Sequence, residues 1–269
     1  MVRKLHTRMA IVGTLLFALY TGVVAWLWAG GFSLPLVVAS VGAFIAIQWI
    51  ISTKTVLWGI NSTELPEDDL RWLHTFIEES SDDMGINKPN LYIAEMGTPN
   101  AFAIGRHAKS KVVFSKSLLE TLPQDEVQAV AAHELAHIKN RDALLMRFGQ
   151  SLASLVSLLI FFIGLASEEV GILTSWLLGS VANFFVTLLV LALSRQREYT
   201  ADETAKELMG GDGRHLSEAL TRIATLSEGR EPTVDANTSA LCIFNADTGF
   251  LNKVLSTHPP IEQRIERLE

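Results

Sequence analysis

Long runs without a charged side chain constrain the fold of this chain more than any other feature of its sequence. No Asp, Glu, Lys or Arg occurs in residues 9–53, and the Gly-Gly pair at residues 30–31 with Pro35 interrupts this run near its middle. Each half is close to the ~20 residues that cross a bilayer as a helix. We therefore predict a membrane-spanning helical hairpin formed by residues 10–29 and 32–51.

A cleaved signal peptide is the alternative for the first half, because Arg3, Lys4 and Arg8 resemble a basic n-region. The apolar run is longer than the ~7–15 residues of a signal-peptide core, and a second run follows at once, which favours an anchor. The composition agrees, since 49% of the residues are hydrophobic and the mean hydropathy is +0.28. Part of the chain is expected to lie in lipid.

Two further uncharged runs, residues 148–167 and 170–194, are separated only by Glu168 and Glu169. Each is long enough to span a bilayer, although buried helices of a folded domain have the same pattern. We predict a second spanning hairpin. The short turns carry no basic residues, and by the positive-inside rule both termini and the remaining domain face the cytoplasm. The basic residues that flank the outer ends of the hairpins are Arg3, Lys4, Arg8, Lys54, Arg141, Arg147, Arg195 and Arg197.

Residues 133–137, HELAH, follow the pattern HExxH. Residues four apart on a helix share a face, so His133 and His137 can bind one Zn²⁺ while Glu134 reaches a water bound to that metal. Residues 123–126, Pro-Gln-Asp-Glu, are typical of a helix start. The alternative is a surface helix with two solvated histidines, which is disfavoured by the apolar residues around the motif, Val127, Ala131, Leu135 and Ala136.

A catalytic zinc usually has three protein ligands and keeps a fourth position for water, so a third ligand must lie elsewhere. Glu198 and Asp202 are again four residues apart in a segment compatible with a helix. Glu198 can ligate the metal, and Asp202 can accept the outward N–H of a ligand histidine. Taken alone, both residues fit a solvated charged face, but the HExxH motif favours the metal-site interpretation.

The rest of the chain suffices for one compact domain. The net charge of the whole chain, -7, argues against nucleic acid as a partner. We predict an amphipathic helix over residues 70–84 and strands over residues 91–95 and 111–115. Cys242 is the only cysteine, which suits a reducing compartment and favours a packed core residue over a thiol nucleophile.

The domain organisation that we expect is 1–53 as the first hairpin, 54–147 as the first catalytic part, 148–194 as the second hairpin and 195–269 as the second catalytic part.

Together these features resemble the HtpX-type membrane metalloproteases, relatives of the CAAX prenyl endoproteases. The likeness extends over nearly the whole chain and includes the sequence TPNAFAIG at residues 98–105, STHPP at residues 256–260, and Arg264-Ile265. It implies a mainly α fold with a small β-sheet, a membrane-anchored gluzincin-type metalloprotease with two transmembrane hairpins. It also implies cleavage of misfolded or membrane proteins in quality control.

The resemblance assigns His133, His137 and Glu198 as ligands of one Zn²⁺, Glu134 as general base, and Asp202 as the partner of a ligand histidine. Glu134 would take a proton during attack on the scissile carbonyl and deliver it to the leaving amine.

His258 is the candidate donor to the tetrahedral oxyanion, with a helix-capping or structural role as the alternative. The segment Asn100, Ala101, Phe102, Ala103 and Ile104 would be a strand whose open edge pairs with an extended substrate, or else an ordinary core strand. The other histidines, His6, His74, His107 and His215, are expected to be surface or packing residues.

Four alternatives remain open. A site-2-type intramembrane protease also carries HExxH, but its third ligand is an Asp within a later membrane segment, whereas Glu198 lies beyond the last apolar run. A CAAX-prenyl-type protease would carry more apolar runs than the four found here, and a diiron oxidase would need more histidines. A non-enzymatic scaffold with a structural zinc would have no use for Glu134.

Overall fold

The computed structural model describes most of the chain after residue 61 and isolated positions between residues 30 and 46; the continuous ranges are 62–105, 109–167, 169–227 and 258–269. The predicted first hairpin therefore lies outside the described residues, apart from those isolated positions. The same holds for Cys242, His6 and His107.

The chain divides into two units, which we call the apolar unit and the sheet unit. The apolar unit consists of Met1–Ser52 and Leu145–Leu193, and the sheet unit of Thr53–Leu144 and Ser194–Glu269. The helices of the described ranges are α1 (Arg71–Met84), α2 (Lys116–Thr121), α3 (Gln124–Lys139), α4 (Asp142–Ala166), α5 (Ile172–Leu208), α6 (Arg214–Ser227) and α7 (Ile261–Leu268). The strands are β1 (Thr63–Glu64), β2 (Asn90–Ala94), β3 (Ala101–Ile104) and β4 (Lys111–Ser115).

The four strands form one mixed sheet in the order β1-β2-β4-β3. β2 runs parallel to β4, whereas β1 and β3 are antiparallel to their neighbours. After β2 the chain passes beyond the position of β4 to build the edge strand β3, and then returns as β4. Val112, Val113 and Phe114 of β4 are fully buried, as expected for a central strand. This topology leaves β3 with a single strand partner among the described residues.

The helix α3 lies at the centre of the sheet unit, packed against α1, α6 and β3. The predicted helix over residues 70–84 is confirmed as α1, and its inward residues Leu73 and Ile77 are fully buried. They join Leu135 of α3 and Leu220 of α6 in one core. Burial of each such side chain stabilises the fold by ~1.5–3 kcal/mol. The predicted strands are also confirmed, as β2 and β4.

Two helices in the described part of the chain are long and apolar enough to cross a membrane, α4 over Asp142–Phe161 and α5 over Ile172–Leu208. In the apolar unit α5 exposes large hydrophobic side chains, among them Leu173, Trp176, Phe185 and Leu189. A continuous exposed apolar surface of this kind is costly in water and is normal in lipid.

The two apolar helices approach each other closely at glycines. A Cβ added at Gly179 would lie 2.7 Å from the backbone oxygen of Ser157, and one at Gly149 would lie 2.7 Å from Val190 Cγ2. Small residues at such crossings are typical of helix pairs in membranes, where packing rather than the hydrophobic effect drives association. The helix α5 continues without interruption past Ser194 into the sheet unit.

Candidate metal centre and active site

The helix α3 brings the two motif histidines together. Pro123 precedes its first turn, which carries Asp125 and Glu126, as the sequence predicts. The Nε2 atoms of His133 and His137 lie 3.1 Å apart, with the rings almost perpendicular at 87°. The spacing of four residues therefore gives two imidazole nitrogens that converge on one point.

Glu198 of α5 directs its carboxylate at this point. Its Oε2 lies 3.5 Å from His133 Nε2, and its Oε1 lies 3.5 Å from His137 Nε2. Two nitrogen or oxygen ligands at ~2.0–2.1 Å from a tetrahedral zinc lie ~3.3 Å from each other. The three side chains offer ligand atoms that all lie within 4.8 Å of one another, and His133 and Glu198 are buried. The donor set and its spacing thus fit a metal ion with two imidazole ligands and one carboxylate.

A buried carboxylate faces the outward nitrogen of each imidazole. Asp202 Oδ1 lies 3.0 Å from His133 Nδ1, and Asp142 Oδ2 lies 2.7 Å from His137 Nδ1. Asp202 is a residue that sequence analysis singled out, one helical turn after Glu198. Asp142 was missed, because it follows His137 by five residues and lies beyond the end of α3, where helical spacing gives no signal.

Two arginines complete the charge balance behind these carboxylates. Arg264 of α7 contacts Asp202 with Nε at 2.9 Å and Nη2 at 2.6 Å, and its side chain is almost completely buried. Arg197 of α5 contacts Asp142 Oδ1 at 2.8 Å. Sequence analysis noted Arg264 only as part of a resemblance, since nothing local in the sequence links it to Asp202.

Comparisons with known proteins decide the family. The sequence pattern of Peptidase family M48 matches residues 67–269. A Protease HtpX homolog from Halobacterium salinarum is 38% identical in an alignment that covers 97% of this chain and 99% of the relative. One from Aquifex aeolicus is 35% identical, with 88% and 83% of the two chains covered.

The chain belongs to Peptidase family M48. It is a membrane metalloprotease with endopeptidase activity, so the non-enzymatic scaffold considered from the sequence is excluded. Its fold is similar to that in the crystal structure of S. mikatae Ste24p, with a TM-score of 0.60 at 19% sequence identity; the alignment covers 100% of this chain and 67% of that chain. The mainly helical fold with a small sheet is therefore the M48 fold.

The ionisable side chains of this site shift one another's pKa values. Burial lowers the pKa of His133, but hydrogen bonds with Asp202 and Glu198 outweigh this and raise it to about 9. Burial raises the pKa of Glu198, yet the nearby His258 and His137 hold it well below its ordinary value. Both carboxylates lie beyond residue 194, outside the uncharged part of α5. These contacts therefore favour an ionised Glu198 and a protonated His133.

Arg264 keeps Asp202 ionised in the same way. Burial raises the pKa of Asp202, but the charge of Arg264 and the hydrogen bond from His133 lower it below its ordinary value. Burial lowers the pKa of Arg264, and the Asp202 carboxylate more than offsets this, so the arginine remains a cation. Glu134 is buried, and its charge also stabilises the guanidinium.

The remaining predicted residues lie around this cluster or on the edge strand. His258 Nδ1 lies 2.9 Å from Glu198 Oε2, and the ring is 18% exposed. Asn100 is buried, and its backbone N–H donates to Ser115 Oγ at 2.8 Å. Of the other histidines, His74 is buried on α1 and His215 lies on α6.

Proposed function

We propose that the chain is a zinc-dependent endopeptidase of the gluzincin type, in which His133, His137 and Glu198 hold one Zn²⁺. The observation that carries this proposal is the convergence of the three side chains: the two histidine Nε2 atoms lie 3.1 Å apart, and each lies 3.5 Å from one of the two Glu198 carboxylate oxygens. These distances match a tetrahedral ion with one position left for water. Two imidazoles and one carboxylate are also a ligand set typical of catalytic zinc in peptidases.

Zinc in this site would act as a Lewis acid that lowers the pKa of water to ~7 and polarises the scissile carbonyl. Glu134 is the general base, because it follows the ligand His133 on the same helix and its side chain is buried. It takes the proton of the attacking water and delivers it to the leaving amine. Asp202 holds the Nδ1–H tautomer of His133, so that Nε2 keeps its lone pair for the metal.

His258 is the proposed donor to the tetrahedral oxyanion. The 2.9 Å contact with Glu198 in the metal-free form supports this role, because it brings the ring to the ligand cluster while part of it stays accessible to a substrate. The alternative is that His258 only orients Glu198. The two roles differ in effect, since loss of an oxyanion donor lowers kcat by ~100- to 1,000-fold without loss of metal.

The substrate is proposed to extend the sheet at β3. Ser115 N–H donates to Asn100 O at 2.8 Å, and the register pairs Ala101 with Phe114. Antiparallel pairing alternates, so the N–H and C=O groups of Ala101 and Ala103 point away from β4. An extended peptide could bind these groups next to α3, which packs against β3. This arrangement recognises backbone rather than side chains, as suits a protease of unfolded chains.

In the membrane we propose four spanning segments, with both termini and the catalytic part in the cytoplasm. The apolar surface of α5 and the glycine contacts between α4 and α5 support the second hairpin. The 37 residues of α5 measure about 55 Å, of which the uncharged part over residues 172–194 is about 35 Å, enough for a bilayer core of ~30 Å.

The physiological role that we propose is quality control of misfolded or membrane proteins, in line with the name of the HtpX relatives. A CAAX-prenyl-type activity is the second candidate and is favoured only by the shared fold with Ste24p. A site-2-type protease is disfavoured, because Glu198 belongs to the sheet unit and not to the apolar part of α5.

Metal analysis of the detergent-purified chain tests the zinc site directly. We expect one zinc per chain in the wild type and in Glu134→Gln, and less than a tenth of that in Glu198→Ala after dialysis against a weak chelator. The exposed Glu203→Ala, also on α5, serves as the matched control and should keep its zinc. Full zinc retention by Glu198→Ala would contradict the assigned ligand set.

A further inference from the structure

The pair formed by Asp142 and Arg197 has no assigned role in this chemistry. We infer that the two are positioning residues for the metal ligand His137: Asp142 fixes the ring, and Arg197 fixes Asp142. The inference rests on the proposed zinc site. It is based on two contacts, 2.7 Å from Asp142 Oδ2 to His137 Nδ1 and 2.8 Å from Asp142 Oδ1 to Arg197 Nε.

The backbone between α3 and α4 is shaped to make the first contact. Five residues after His137, a continuous helix would place a side chain about 140° around its axis, away from the ring. Here Arg141 adopts a left-handed conformation with φ of 56°, which is unfavourable for a residue other than glycine. The turn closes with Arg141 N–H donating to Ile138 O at 3.1 Å. This turn thus brings Asp142 back to His137.

The second contact places a guanidinium against a carboxylate that is shielded from solvent. Asp142 and Arg197 are both buried, and a buried carboxylate is stable only when it is paired. Arg197 directly precedes the ligand Glu198 on α5. Neighbouring residues of α5 therefore supply the proposed ligand Glu198 and the arginine that contacts Asp142, the partner of His137.

The same arrangement occurs twice in the site. His133 is held by Asp202 and Arg264, and His137 is held by Asp142 and Arg197. In each case the carboxylate accepts Nδ1–H, so that Nε2 presents its lone pair to the metal position. A pair that served only to join α4 to α5 would not require a contact with His137.

The test is the zinc affinity of the full-length chain in detergent, measured by competition with a chromophoric chelator at fixed pH. Asp142→Ala is expected to weaken zinc binding ~100-fold and Asp142→Asn, whose carbonyl still accepts a hydrogen bond, only ~10-fold. Asp142→Asn keeps the shape of the side chain, so the test stands even if Asp142→Ala does not fold. The d–d absorption of the Co²⁺-loaded protein should change in both variants, because it reports ligand geometry.

Glu126→Ala is the matched control. Glu126 is a buried carboxylate on α3 that is paired bidentately with Arg222 at 2.8 and 2.9 Å rather than with a proposed ligand. It should lose thermal stability but keep wild-type zinc affinity and the Co²⁺ spectrum. Wild-type affinity in Asp142→Asn and Asp142→Ala would overturn the inference alone. Failure of the wild type to bind zinc would overturn the proposed function and this inference with it.

Discussion

His133 and His137 direct their Nε2 atoms at each other across 3.1 Å, while their Nδ1 atoms face two different buried carboxylates, Asp202 and Asp142. This relationship defines the metal position from both sides. The carboxylates hold the rings in place, and the facing nitrogens leave room for one cation.

Zinc binding is therefore expected to release a proton. The pKa of His133 is raised from 6.5 to about 9 in the metal-free fold, so at pH 7.5 the ring is charged and must lose its proton to bind the metal. The zinc Kd should fall about tenfold per pH unit between pH 6.5 and 9. Calorimetric titration in two buffers of different ionisation enthalpy measures the number of protons released, and a value near zero at pH 7.5 would contradict the assignment.

The raised pKa of His133 also makes the stability of the protein without zinc depend on pH: a higher pH strengthens zinc binding but destabilises the fold. A group whose pKa rises on folding stabilises the folded state below its unfolded pKa, and this contribution is lost as the pH rises through the folded value. The metal-free protein should thus lose stability between pH 6.5 and about 9. Thermal unfolding in the presence of a chelator tests this, with His133→Gln as the variant that should lack the dependence.

Removal of Arg264 should destabilise the fold strongly. Asp202 accepts two hydrogen bonds from it and would be left buried without its arginine, with only His133 as a partner. Breaking a buried pair in this way costs ~3–5 kcal/mol. Chemical unfolding of Arg264→Ala measures the loss, and Arg71→Ala is the control, because the Arg71–Asp68 pair is exposed and is worth less than ~1 kcal/mol. Equal effects of the two substitutions would argue against the role of Arg264.

The edge of β3 can be tested with proline. Ala103→Pro removes an N–H that points away from β4 and so spares the sheet. We expect kcat/KM for casein to fall at least about fivefold, since a lost hydrogen bond of ~1 kcal/mol corresponds to that factor. Zinc content should not change. Ala103→Val keeps the N–H and should remain active; an Ala103→Pro variant with full activity would rule out pairing at this position.

The close contact of α4 and α5 predicts a strict size limit at Gly179. A Cβ there would lie 2.7 Å from Ser157 O, so Gly179→Val must force the helices apart, at ~1–3 kcal/mol. Thermal unfolding in detergent should show the loss, whereas Leu177→Val on the exposed face of α5 should change stability by less than ~0.5 kcal/mol. An unchanged midpoint for Gly179→Val would mean that the two helices do not pack at this glycine.

The local parts of the site could be predicted from the sequence, and the long-range parts could not. Helical spacing brings out His133 with His137 and Glu198 with Asp202, because each pair lies on one helix. The contact of Asp142 with His137 could not be predicted from helical spacing, because it depends on the left-handed turn at Arg141. Arg264 lies 62 residues from Asp202 in the sequence, and only the packing of α7 brings the two together.

The fold follows the same division. Amphipathic spacing predicted α1, and short apolar runs predicted β2 and β4. Each of these elements packs against the core, and this burial leaves a recognisable apolar pattern in its sequence. The strand β1 was not predicted, since its two residues, Thr63 and Glu64, are exposed and are held only by pairing with β2. The sequence also gave no sign that α5 continues as one helix across Ser194.

The most direct test of the whole account is zinc-dependent cleavage of casein by the detergent-purified wild type and by Glu134→Gln at matched zinc content. We expect the wild type to cleave casein and to lose this activity with a chelator. The cleavage rate of Glu134→Gln should be at least ~100-fold lower, which is the usual contribution of a general base. Equal cleavage by the two proteins at equal zinc would contradict the role of Glu134 and the mechanism built on it.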